Sequence, residues 1–303
     1  MELRLLRYFV AVAEELHFGR AAARLGLAQP PLSQQIRRLE AELGVVLFRR
    51  TQRHVELTDA GEVFLVEARD ILERVERAAE LAQRAQNGEI GSLRIGFAGS
   101  ATYHALPVLV RAYRERYPQV DVTLSEMTTL DQIDALHEGR IHAGFLRLPV
   151  SDALLDFIVM RRERFIVALP ESHPLAALER VPLPRLGGEP FILQPRHHGW
   201  GYYDAIIAVC HAHGFSPLVR QEAQELHTII GLVAAGLGVS LVPASARELR
   251  GRGVAYREIE GTPPMTEMAL GWRRADPSPV LRSFIAVAHE LHEMMQQMES
   301  GDG

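Results

Sequence analysis

The chain has 303 residues, 47% of them apolar and 23% charged, a formal net charge of -5, and one cysteine. That length fits two domains or one bipartite one, and the composition excludes a disordered chain. No apolar run approaches the 18 residues needed to span a bilayer, Cys210 cannot form an intrachain disulfide, and the charged N-terminus lacks a secretory pattern, so a cytoplasmic address is expected.

Charge is polarised along the sequence. Residues 1–58 hold nine Arg against six Asp or Glu, near +3, so the remainder carries about -8. All 33 cationic residues are Arg, which excludes a lysine Schiff base and supplies planar groups suited to phosphate and carboxylate. Leu6, Phe9, Val10, Ala13 and Leu16 recur at helical spacing and predict a first helix. A short Ala-rich helix over Arg20 to Leu25 stops at Gly26, and Pro30-Pro31 suit the first turn of a third helix that continues through Leu32, Ile36, Leu39 and Leu43 to Gly44. Val45 to Phe48 and His54 to Leu57 predict a hairpin whose tip, Arg49 to Arg53, is cationic.

From Thr58, a candidate N-cap, a helical pattern runs for about 29 residues, roughly 43 Å at 1.5 Å per residue. Phe64, Ala68, Ile71, Val75, Ala78, Ala82 and Ala85 alternate four and three apart along it, the seam of a coiled coil, so dimerisation through this helix is expected. Beyond Gly88, β-rich runs alternate with helices, as in an α/β domain with parallel strands. Strands are predicted at Leu93 to Phe97, Val120 to Ser125, Ile141 to Leu146, Phe165 to Leu169, Phe191 to Leu193, Val239 to Val242 and Met268 to Trp272.

The first 58 residues carry the sharpest chemistry. A short helix, a tight turn and a third helix with exposed polar side chains satisfy the helix-turn-helix requirement that the third helix enter the major groove. Gln29, Ser33 and Gln34 are candidate base readers, entered through Pro30 and Pro31; Arg37 and Arg38 suit phosphate, and Arg49, Arg50 and Arg53 suit phosphate or the minor groove. In the second region, Ser100, Ala101 and Thr102 lie between a strand and a helix, where backbone N–H groups and hydroxyls can hold a carboxylate. Thr128 and Thr129 follow the next strand in the same relation, and Arg147 follows the third. Cys210, His211 and His213 share a helix end but lack enough neighbouring ligands, so neither a metal site nor a cofactor is expected. No nucleophile elbow, phosphate loop or Ser/His/Asp spacing marks an enzyme.

Met1-Glu-Leu-Arg, Tyr8-Phe-Val-Ala-Val-Ala-Glu14, Ala21-Ala-Ala-Arg-Leu25, Ala28-Gln-Pro-Pro-Leu-Ser-Gln-Gln-Ile36, Leu39-Glu-Ala-Glu-Leu-Gly44, Leu47-Phe-Arg-Arg50 and Leu57-Thr-Asp-Ala-Gly61 together resemble the DNA-binding signature of LysR-type transcriptional regulators, and the similarity extends over essentially the whole chain. The resemblance implies a multi-domain protein: a winged helix-turn-helix at 1–58, a linker helix at 59–87 and an α/β effector-binding domain at 88–303 built like a periplasmic binding protein. Its first lobe would span about 90–163 with 268–303, and its second about 164–267. It further implies promoter DNA as partner, a homodimer through the linker helix, and a homotetramer.

Gly144-Phe-Leu-Arg147, Val167 to Pro174 and Gly231 to Ser245 are similar to regulators of aromatic degradation, which implies a muconate-like, benzoate-like or phenylpropanoid acid as effector and adds Trp200 and Tyr202 to the cleft. Arg161 and Glu163 resemble polar members of a second pocket found in some relatives, and an ordinary salt-bridged strand pair explains them equally well. A solute-binding protein without a regulatory role is the alternative from another class, and an effector of a non-aromatic class is the alternative for the ligand.

Overall fold

The computed structural model describes residues 1–51, 54–249 and 251–301 and divides into two compact units, 1–84 and 85–303. The first unit begins with three helices, α1 (Leu3–Glu15), α2 (Phe18–Arg24) and α3 (Gln29–Leu43). Each boundary has a local cause. The His17 imidazole accepts from Gly19 N at 3.1 Å and Arg20 N at 3.2 Å, satisfying the first free donors of α2. Nothing caps α3 by side chain; Pro30 and Pro31 occupy its first turn instead, where a missing N–H costs nothing. Gly44 ends α3 at φ +71°, a left-handed geometry that glycine adopts without strain.

A small hairpin follows, β1 (Phe48–Arg50) with β2 (Val55–Leu57), pairing Arg49 with Glu56 and Arg50 with Val55. The strand therefore starts later than the sequence predicted. Glu40 explains the shift: its carboxylate accepts from Leu47 N at 3.0 Å and Phe48 N at 3.2 Å, holding Val45 to Leu47 against α3 rather than in a ladder. Arg49 and Arg50 consequently lie on the strand and not at the tip, and the predicted Arg53 falls outside the described residues.

The long helix α4 (Asp59–Gln86) is capped by Thr58, whose hydroxyl accepts from Gly61 N at 2.9 Å. Gly61 passes so close to the Leu47 carbonyl that a Cβ would collide with it. Ala68 is fully buried in the core of the first unit with Leu5, Leu6, Phe9, Ile36 and Leu39, and Phe64 and Ile71 pack beside it. Here the reading of one uninterrupted coiled-coil seam is corrected. Its first three positions bury surface within their own unit, and only Ala78, Ala82 and Ala85 remain exposed along the stripe.

The second unit is built on an eight-stranded sheet in the order β4-β3-β5-β12-β6-β11-β7, with β10 also on β6, and on a separate parallel pair, β8 with β9. Its strands in chain order are β3 (Gly91–Phe97), β4 (Val120–Glu126), β5 (Ala143–Arg147), β6 (Leu155–Pro170), β7 (Arg180–Val181), β8 (Pro190–Leu193), β9 (Leu218–Glu222), β10 (Ser240–Pro243), β11 (Val254–Ile259) and β12 (Met265–Arg273). The helices are α5 (Ala105–Arg116), α6 (Thr129–His137), α7 (Trp200–Ala212), α8 (Leu226–Ala234) and α9 (Pro279–Gly301). β3 is parallel to both β4 and β5, so all three chain ends emerge on one edge, where ligands meet open α/β sheets.

The 16-residue β6 organises the whole unit. Its first part pairs with β12 and its second with β10 and β11, so one strand belongs to two halves of the sheet. Over the first half, Leu93, Ile95, Leu109, Tyr113 and Phe284 form a core, and the Tyr113 hydroxyl ties α5 to α9 through Ser283 Oγ at 2.9 Å. Two further cores cover the second half, one around Phe165, Phe191 and Ile206, the other around Ile166, Ile230 and Val242. The sequence reading missed residues 155–164 of β6 and the strands β7, β9 and β11.

Candidate functional site

Two surfaces carry the chemistry, one in each unit. In the first unit Gln29, Pro30, Pro31, Gln34, Arg37 and Arg38 are exposed on α3, and Ser33 is half-buried beside them. The buried side chains of the same helix, Leu32, Ile36 and Leu39, fix which face remains free. Among the described residues Arg37 has no ion-pair partner, whereas Arg38 bonds Glu42 at 2.9 Å and Glu2 at 3.2 Å on the surface. Arg49 is exposed on β1. Arg50, expected to face a ligand, is turned inward: it bonds Glu40 at 2.9 Å and lies 4.8 Å over the Phe18 ring. Since Glu40 also takes the two backbone donors of the wing, Arg50 completes an internal anchor.

In the second unit a cleft of about 630 Å³, counting its open mouth, lies at the ends of β3, β4 and β5. Of the sequence-predicted residues, Ser100, Thr128, Thr129, Arg147 and Tyr202 line it. Thr128 caps α6 by accepting from Asp131 N at 3.2 Å, and Thr129 Oγ1 accepts from Arg147 N at 3.3 Å, so the two threonines tie the loop to the end of β5.

Three expected members do not line it. Ala101 is 1% exposed in the core, because the 3-10 turn after β3 points it inward. Thr102 closes that turn by donating to Gly99 O at 2.6 Å. Trp200 opens α7 on the surface at 39% exposure, while Tyr202, two residues on, is the aromatic ring that faces the cleft.

The cleft also contains groups that sequence reasoning did not assign, Gln194, His198, Gln224 and Glu225. Gln194 donates to Gln224 O at 2.6 Å, joining the end of β8 to the segment before α8. His198 presents a buried Nδ1 without a hydrogen-bond partner among the described residues. Its run, His197-His198, reads in the sequence as loop polarity or a ligand contact rather than as a metal site.

Arg147 decides the electrostatics of this cleft. It is 6% exposed and bonds Glu163 at 3.1 Å, Ser100 Oγ at 3.4 Å and Thr266 Oγ1 at 3.5 Å. Glu163, also buried, spends its other oxygen on Ser245 N at 2.9 Å. Arg161 lies 3.9 Å from Glu163, a weaker contact, and faces instead a small apolar pocket with Ala105, Val108, Leu109, Met160 and Leu291. Glu163 is thus shared: the expected strand pair with Arg161 is present at 3.9 Å, and the closer bridge runs to Arg147 at 3.1 Å. Above the guanidinium, at 5.8 Å, is the Tyr202 ring, and burial pushes its hydroxyl pKa well up. Among the described residues no three His, Cys, Asp or Glu side chains gather in a metal-holding group, and no helix is long and apolar enough to cross a membrane.

A helix-turn-helix with a small hairpin, a long helix and an α/β ligand cleft together define a transcriptional regulator with a ligand-binding domain. The sequence model for the bacterial regulatory helix-turn-helix protein, lysR family, matches residues 3–62, and that for the LysR substrate binding domain matches residues 86–293. The chain belongs to the LysR family of DNA-binding transcriptional regulators and is not an enzyme.

It is 42% identical to the HTH-type transcriptional regulator AlsR of Bacillus subtilis (strain 168), over 99% of this chain and 100% of that one. It is equally identical to the probable cat1 operon transcriptional activator of Acinetobacter lwoffii, over 96% of each. Among solved structures, full-length CbnR complexed with its target DNA superposes with a TM-score of 0.82 at 32% identity, covering 96% of this chain and 100% of that one.

Proposed function

We propose that this regulator reads base edges with Gln29, Ser33 and Gln34 while Arg37, Arg38 and Arg49 hold phosphate, and that a small carboxylate in the cleft modulates its contact with DNA. The observation that carries the effector half is convergence: the Ser100 and Thr129 hydroxyls and the Arg147 guanidinium meet at the ends of three strands in one cleft. Pro30 and Pro31 support entry of α3 into the groove, and the CbnR structure in complex with DNA supports the same use of the head here. The exposed stripe Ala78, Ala82 and Ala85 supports a homodimer through α4, and the family resemblance a homotetramer of two such pairs. Arg161, with its buried Nε lacking a hydrogen bond, is offered as the polar anchor of a second, apolar pocket. Glu163 serves that pocket only through Arg161.

DNA selected from a random pool by the full-length protein provides the test, using fluorescence anisotropy with and without benzoate, cis,cis-muconate, 3-phenylpropanoate and acetate. One acid should change affinity or stoichiometry, and Ser100→Ala should weaken that response while leaving DNA affinity without acid unchanged. A protein that selects no sequence, or whose response ignores Ser100, contradicts the proposal.

A further inference from the structure

The cleft that we assign to a carboxylate is not a simple anion site, because its one buried cation is already balanced. Glu163 neutralises Arg147 at 3.1 Å with both partners almost fully buried. What remains is acidic: Glu225 lines the cleft, and Glu126 lies beside Gly99 of its lining. Glu126, the last residue of β4, and Glu225, immediately before α8, direct a carboxylate oxygen each to the one point beside Gly99 where a Cβ would sit.

Neither carboxylate has a hydrogen bond or an ion pair among the described residues; Glu225 does not even cap the helix it precedes. Burial, and then the nearby Glu126, raise the Glu225 pKa, with His227 partly opposing them. Two close carboxylates with no bonded counter-charge, opposed only in part by the nearby His227, repel, so this arrangement favours a cation or a strong donor between them. A second feature also points to a ligand. Tyr202 is 7% exposed and lines the cleft, yet its hydroxyl has no hydrogen-bond partner among the described residues.

Spacing then narrows the chemistry. Gly99, where the two carboxylates converge, is the chain neighbour of Ser100, whose hydroxyl bonds Arg147 at 3.4 Å. The anion-holding and cation-holding groups are therefore adjacent, and a ligand that satisfies both carries its charges on neighbouring atoms. A dicarboxylate would set its second negative charge against Glu126 and Glu225. We infer that the effector is a small amino acid, its carboxylate held by Ser100, Thr129 and Arg147 and its ammonium group by Glu126 and Glu225, which rests on the carboxylate reading above and sharpens it. Glycine at position 99 has a reason on this view: any Cβ there would fill the space between the two carboxylates.

Titration calorimetry on the full-length protein tests the inference with matched pairs that differ only by the amino group: glycine and acetate, L-leucine and 4-methylpentanoate, L-phenylalanine and 3-phenylpropanoate. At least one amino acid should bind on the order of tenfold or more tighter than its des-amino partner, as a charge-assisted hydrogen bond implies. Glu225→Gln and Glu126→Gln, both on side chains open enough to spare the fold, should reduce that ratio to about threefold or less without weakening the plain acid.

Plain acids that bind as tightly as the amino acids overturn the inference; if Ser100→Ala then weakens them, the carboxylate reading survives it. Preference for an amino acid that persists in both Gln variants overturns the assignment of the ammonium group. No binding of any of the six compounds contradicts both readings.

Discussion

The head of this regulator leaves Arg37 and Arg49 exposed, without an internal partner among the described residues, on the face opposite the packed side of α3 and on the edge of the hairpin, whereas the effector-binding unit withdraws Arg147 from solvent and binds it to Glu163. Arg50 shows that the contrast is not one of domain alone, since Glu40 and Phe18 claim it inside the head. The difference teaches that an arginine predicted to meet a ligand is available only to the extent that the fold supplies no carboxylate of its own. Exposed arginines suit phosphate, where screening and geometry are forgiving; a buried, balanced arginine gives direction more than net charge.

The comparison breaks most forcefully at Glu163. Glu163→Ala leaves the Arg147 guanidinium buried and unpaired, so the protein should lose about 3 to 5 kcal/mol of stability in urea unfolding. Replacing both partners together, Arg147→Met with Glu163→Leu, should recover most of that loss and abolish the response to effector. If the single change is harmless, Arg147 is not held as described.

In the head, Glu40→Ala removes the acceptor of Leu47 N, Phe48 N and Arg50 at one stroke, with an expected cost of about 2 to 3 kcal/mol. Thermal unfolding followed by circular dichroism reads it, alongside a loss of DNA binding as the hairpin loosens.

Smaller effects separate the exposed side chains by role. Gln34→Ala should relax base preference at one position by about 1 to 3 kcal/mol, while Arg49→Ala should weaken all sequences alike and lower the salt slope by about one. Equal behaviour of the two variants in anisotropy titrations would dissolve the distinction.

The smallest expected effect is on pH. Burial, then Arg94 and Arg273, hold the His142 pKa below its usual value, and its Nδ1 accepts from Arg94 N at 3.0 Å only when unprotonated. Unfolded histidine protonates near pH 6.5 and the folded one lower, so stability should fall as pH drops below about 6.5. His142→Asn should flatten that part of the profile.

Much of the fold was legible because its signals are local. Helical spacing, Pro30-Pro31 and Gly44 located α3 to within a residue or two, and Ser100, Thr129 and Arg147 were found as residues following parallel strands. What was missed depends on tertiary partners. The first part of β6 mixes Asp156, Arg161 and Arg162 among its apolar residues and becomes a strand by pairing with β12. β9 is mostly exposed and polar, so no alternation marks it.

The acidic side of the cleft was invisible for the same reason. Glu126 and Glu225 lie 99 residues apart in sequence and converge only when β4 and α8 approach Gly99. Trp200 and Tyr202 were both placed in the cleft by resemblance, and the turn of helix that opens α7 brings only Tyr202 to it.

The central claim, that a carboxylate in this cleft alters how the head meets DNA, is tested most directly by nuclease footprinting on the DNA beside the protein's own gene. The wild type and Ser100→Ala would be compared with and without the tightest-binding acid or amino acid. The account predicts a footprint that lengthens, shortens or shifts on adding the ligand to the wild type and stays fixed in Ser100→Ala. Identical footprints with and without ligand, at concentrations where calorimetry shows the cleft filled, would contradict it.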